Sequence, residues 1–161
     1  MPQPLNPAEQ KVLDDVEQYG LHVVNVLAEG DLPEFSYTIG LYKNFNHPEV
    51  LVYGLPRNRA HPLLNDVGDE VRAGKKYLAG QTYDDFLEGY RCTFRTIPVT
   101  QYPEYLGWAS WFYDHGPFPS LQLVYPDREG RWPWQEGVSE GFRSCQLILA
   151  DVPASDSDGA A

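Results

Sequence analysis

The chain has 161 residues, 23 acidic against 12 basic side chains for a formal net charge of −11, and an aromatic content of 14%. The length is that of one ordinary domain, and the aromatic share is enough for a substantial core. The charge excludes a direct role on nucleic acid or an anionic membrane: phosphates are met by Lys and Arg, and the one basic run, Arg72, Lys75 and Lys76, is too short for a binding stripe.

Taken in chain order, residues 1–6 form a Pro-rich lead-in without the basic and apolar regions of a signal peptide. No apolar run approaches the ~20 residues that span a bilayer, so the expected compartment is the cytoplasm. Asn6 is placed to cap a helix with Pro7 in its first position. Val12, Leu13 and Val16 give that helix an apolar stripe, and Gly20 ends it. Residues 21–28 are Val-rich and read as a strand. In residues 35–41, Phe35, Tyr37, Ile39 and Leu41 alternate with Ser36, Thr38 and Gly40, the period of a strand with one large and one small face.

Residues 44–48 read as a loop, and residues 50–55 as a strand buried on both faces. A helix follows with Leu63, Leu64, Val67 and Val71 on one side; an onset near Ala60 or His61 puts Pro62 in its first turn. Residues 82–87 and 90–99 suggest a hairpin, residues 103–113 an aromatic helix, and residues 121–125 and 142–152 two more strands. Residues 7–153 thus form a single α+β domain, a mainly antiparallel sheet with about three helices packed against it. Residues 154–161 form a small acidic tail, expected to be disordered. Cys92 and Cys145 lie in apolar patterns and are expected to be buried and reduced, with no disulfide between them.

Several segments stand out together: 20–24 with His22, 35–41, 46–52 with His47, Pro48 and Glu49, Leu64 with Asn65, 122–127 with Gln122 and Asp127, and 130–134 with Trp132, Pro133 and Trp134. In this order they resemble the bacterial family known as domain of unknown function 4262. The resemblance runs from about residue 16 to residue 134. It departs from the family pattern at Tyr125, where Trp is expected, and at Trp132, where Phe is common. The family's name conveys no activity.

The residues themselves carry the chemical reading. Pro48 holds His47 in extended backbone at a strand mouth. His47 and Glu49 suit a general base with its orienter, or a turn bonded to nearby backbone. His22, His47, His61 and His115 have no metal-motif spacing, so no metal site is assigned. The sequence has no nucleophile elbow and no phosphate-cradling glycine loop, and the residues name no cofactor.

The leading reading is a cytosolic binding or accessory protein; an immunity-like role against a basic toxin fits the charge. Its partner is a basic protein or a small molecule. The alternative is an enzyme with His47 as general base and Glu49 or Asp127 as its catalytic partner, and with Tyr37, Gln122 and Trp134 binding the ligand. A third reading, a flavin-binding split barrel, rests on fold analogy. Any small-molecule site is expected where the His47 loop meets residues 125–134, because loops at strand ends commonly carry sites.

Overall fold

The capping signal at Asn6 is used as the sequence suggests. Helix α1 spans Pro7–Tyr19; the Asn6 side chain accepts the Glu9 amide and the Glu9 carboxylate accepts the Asn6 amide, a reciprocal box. The chain leaves α1 through Gly20 in left-handed backbone. The computed structural model describes residues 5–30, 32–87 and 89–150; most of the lead-in and the acidic tail lie outside them.

Strand β1 (His22–Val26) pairs antiparallel with β2 (Phe35–Ile39), and β2 with β3 (Glu49–Tyr53). Between β2 and β3 stands a one-turn helix, α2 (Leu41–Phe45), which takes the last residue of the expected 35–41 strand and the first two of the expected 44–48 loop. Helix α3 (Arg57–Arg72) follows. It starts three to four residues before the expected onset, so Pro62 lies inside it rather than in its first turn. Burial of Ala60, Leu63, Leu64, Val67 and Val71 holds the helix through the proline; one buried aliphatic side chain contributes about 1.5–3 kcal/mol.

Strands β4 (Thr82–Leu87) and β5 (Tyr90–Thr96) pair antiparallel, and β5 pairs with β6 (Ser120–Val124). The expected aromatic helix is broken at Leu106 into α4 (Tyr102–Tyr105) and α5 (Gly107–Phe112). The segment expected as a final strand begins instead with α6 (Glu140–Cys145), capped by Ser139. No strand is formed by residues 146–150. Side-chain amides hold them where a strand partner would: Gln122 donates to Leu147 O at 2.7 Å and accepts the Leu149 and Ala150 amides at 2.8 and 3.2 Å.

The sheet order is β1-β2-β3-β6-β5-β4, open, with β1 and β4 at its edges. The expected α+β class is therefore observed, and the split-barrel alternative is not the architecture. One face carries α3 over Val50, Val52, Phe94, Leu121 and Leu123. The other carries α1, α4, α5 and residues 149–150 over Tyr37, Ile39, Leu51 and Tyr53. Four of the five strand pairs are antiparallel, but β3 and β6 run parallel, with Glu49 opposite Ser120 and Val52 opposite Leu123. That pair decides where the candidate residues fall.

Candidate functional site

Parallel pairing puts His47 and Glu49 beside Pro119 at the start of β6, since the Glu49 amide donates to Pro119 O. Asp127 lies beyond the other end of β6, level with residues 54–56 past β3. The expected meeting of the His47 loop with residues 125–134 does not occur.

His47 is buried, and both of its ring nitrogens face backbone groups. Nε2 accepts the Tyr77 amide at 3.0 Å, which leaves Nδ1 to donate to Pro48 O at 2.8 Å. Burial lowers its pKa, with Lys76 acting in the same direction and the Pro48 bond opposing. Glu49 is sealed. Its carboxylate accepts Thr38 Oγ1 at 2.7 Å and the amides of Gly40, Leu41 and Tyr42 at 2.9, 3.2 and 3.3 Å; the Tyr113 hydroxyl also donates to it. Complete burial pushes its pKa up, against the pull of Tyr113, Thr38 and the amides. Gly40 makes this cradle possible: its φ is 116°, and a Cβ there would lie 2.8 Å from Gly20 O.

The other candidates are similarly engaged. Tyr37 is buried and its hydroxyl accepts the Trp108 amide at 3.1 Å. Gln122 clamps residues 147–150. Asp127 folds its own turn, accepting the Glu129 and Arg131 amides, each at 2.9 Å, and Arg131 Nε at 3.1 Å. Slight burial would raise the Asp127 pKa, but these bonds outweigh it and hold the carboxyl low. Trp134 stacks on Trp132 and lies under the Arg95 guanidinium, which itself sits on β5 opposite Gln122. Of the six, Tyr37 lies close enough to Glu49 for its charge to act on the hydroxyl, Arg95 links Gln122 to Trp134, and Asp127 stands apart at the far end of β6. Cys92 is buried, as expected, but Cys145 is exposed, because its segment is the end of α6 and not a core strand.

A different set converges along the open edge of β1. The turn at Gly20 brings His22 back onto α1, where its Nδ1 lies 2.7 Å from Asp15 Oδ2. The carboxylate fixes the proton on Nδ1, and Nε2 has no protein partner among the described residues. From α3 comes His61, whose Nδ1 lies 3.4 Å from Asn25 Nδ2; Asn25 in turn accepts Ser36 Oγ at 2.9 Å. An amide donor at Nδ1 leaves the neutral ring's proton on Nε2. The groove thus combines an acceptor on His22 with a donor on His61. Arg57, Asn65, Asp69 and Arg72 complete its walls around a volume of 540 Å³.

The groups sense one another. Partial burial lowers the His61 pKa first, and Arg57 and His22 lower it further. Asp15 would be raised by its partial burial, but the bonds from His22 and Lys11 hold it below the ordinary carboxylate range. In the sequence His22 and His61 stand out chemically only as possible metal ligands. Among the described residues no group of three His, Cys, Asp or Glu is placed to hold a metal ion. The signal available was indirect: His22 and Asn65 stood in two of the motif segments, and the fold brings those segments to one groove.

An open-sheet α+β domain with a polar groove along its edge strand is the class that this fold and geometry define. The chain belongs to the family described as domain of unknown function 4262, whose profile matches residues 15–139. No curated protein and no solved structure matches the chain. The matched span contains Asp15, His22, Asn25, Arg57, His61 and Asn65, and ends before Cys145. Among the described residues, no helix is long and apolar enough to cross a membrane.

Proposed function

We propose that this is a ligand-binding domain and that the groove between α1, β1 and α3 receives a small, polar, anionic molecule. The observation that carries the reading is the convergence of two imidazoles, each oriented by a second side chain, in one open groove. A few converging polar groups in a concavity of this size are what a small-molecule site requires. Arg57 supplies charge for an anionic group, while Asn65 and the two Nε2 positions supply hydrogen bonds. His47 and Glu49 lock the same end of the sheet from inside: Glu49 holds the Gly40 amide, and Gly40 follows the strand residue that pairs with His22.

Calorimetry with citrate, L-glutamate and glucose 6-phosphate tests this. Binding of at least one is expected, and it should weaken about tenfold in Arg57→Ala or Asn65→Ala, both exposed positions whose loss leaves the fold intact. Failure of all three to bind, or binding indifferent to both variants, would refute it.

The 2.7 Å contact between Asp15 and His22 also supports a second reading, an enzyme with His22 as general base and Asp15 as its orienter. Placing His47 in that role requires releasing its Nε2 from the Tyr77 amide. Hydrolysis of 4-nitrophenyl acetate separates the two readings: loss in His22→Gln with retention in His47→Gln supports the enzyme, and no turnover above buffer supports binding alone.

A further inference from the structure

At the end of the central strands opposite His47 and Glu49 lies a larger cavity, 920 Å³ in volume, outside the carboxyl ends of β3 and β6. These are the two parallel strands; the chain leaves β3 through Gly54 toward α3 and leaves β6 through Tyr125, which packs against the same face, and both residues line the cavity. The space outside the carboxyl ends of parallel strands is a common ligand site of open sheets.

The cavity floor is tightly built. Gly54 has a φ of 92°, and a Cβ there would lie 2.3 Å from Cys145 O and 2.7 Å from the Tyr125 hydroxyl. That hydroxyl donates to Tyr53 O at 3.0 Å. Only glycine allows α6 to close so near the strand end. The walls are aromatic, with Phe86, Tyr90, Tyr125 and Phe142 all lining the space, and Tyr125 and Phe142 meet edge to face at 5.8 Å.

The charge of the cavity runs against that of the protein. Asp127 and Arg131 cancel each other across their 3.1 Å ion pair. What remains is Arg59 and Arg128, both exposed, against the single carboxylate of Glu129. Neither guanidinium has a hydrogen-bond or ion-pair partner among the described residues. In a chain of net charge −11, two uncommitted arginines at the mouth of an aromatic cavity select an anionic group on a planar ring. Rings stack on the aromatic walls, and guanidinium forks grip phosphate or carboxylate oxygens.

The geometry points to a second binding site here, taking a planar aromatic ring that carries one phosphate or carboxylate group. Its occupant differs in kind from that of the edge groove, which lacks these aromatic walls. Calorimetry and amide chemical shifts of the full chain with adenosine 5′-monophosphate, 1-naphthyl phosphate and inorganic phosphate test it. At least one ring-bearing phosphate is expected to bind at ~1 mM, with shifts at Gly54 and Tyr125, and inorganic phosphate about tenfold more weakly. The Arg59→Gln, Arg128→Gln double variant is expected to lose about tenfold in affinity at unchanged melting temperature. Three results would overturn the site: no binding by either ring-bearing probe, affinity indifferent to the double variant, or equal affinity for phosphate alone. Shifts confined to His22 and Asn65 would likewise overturn it, since they assign the ligand to the edge groove.

Discussion

His47 Nε2 and the amide of Tyr77 form a 3.0 Å hydrogen bond in the interior, joining the loop before β3 to the segment that follows α3. The bond requires a neutral ring with its proton on Nδ1. A protonated His47 has no lone pair for Tyr77 and leaves a buried amide facing a buried cation, so the pair is a pH-sensitive element of stability.

The sign follows from the lowered pKa of His47 in the folded chain. The unfolded chain takes up the proton first, so stability is complete above the unfolded value of about 6.5 and is lost as pH falls through it. His61, also lowered, adds to the slope. Glu49, raised by burial, acts with the opposite sign, so the His47 contribution is read as the difference in thermal unfolding between the parent chain and His47→Gln from pH 8 to pH 5. His47→Gln should have the lower Tm at pH 8, and the gap should narrow as pH falls; a gap constant with pH would contradict the lock.

Glu49 is the larger lock. Glu49→Ala strands the amides of Gly40, Leu41 and Tyr42 without an acceptor, and unpaired buried donors cost about 1–3 kcal/mol each. Urea denaturation should therefore show a loss of at least about 3 kcal/mol, against about 1 kcal/mol for Tyr113→Phe, which removes one donor of five. Equal losses in the two variants would mean that the cradle is not closed as described.

Gln122 and Gln146 dock the last described segment by mimicking a strand partner. Gln146 accepts the Tyr125 amide at 3.0 Å and donates to Tyr125 O at 2.8 Å. In Gln122→Ala the amides of Leu149 and Ala150 lose their acceptor. Hydrogen exchange should accelerate at those two positions while β5 and β6 stay protected. Global loss of protection would show that the segment is instead part of the cooperative core.

Local signals were legible in the sequence where one residue decides the backbone. Asn6, Pro7 and Gly20 bounded α1, and alternation located β2. Readings failed where a distant partner decides. Residues 142–152, described up to residue 150, looked like a strand because Leu147, Ile148 and Leu149 are apolar, but the side chain of Gln122 supplies the partners of Leu147 and Leu149, which no periodicity reveals. His47, Glu49 and Asp127 looked like one site because each sits at a strand end. Strand ends come in two kinds, and the direction of β6 against β3 placed them apart. The edge groove was hidden for the same reason: Asp15 and His22 are near in sequence, but His61 reaches them only once α3 crosses β1.

The chain has four histidines, so ¹³C-labelled imidazole NMR reads every relevant position in one spectrum. Titration of the full chain with citrate, L-glutamate and glucose 6-phosphate measures the central claim, that the edge groove is a binding site. The account predicts that at least one of the three shifts His22 and His61 together and saturably, while His47, shut between Pro48 and Tyr77, and the exposed His115 stay fixed. Movement of His47 with His22 and His61 unmoved, or no saturable shift at either groove histidine with any of the three, would contradict it.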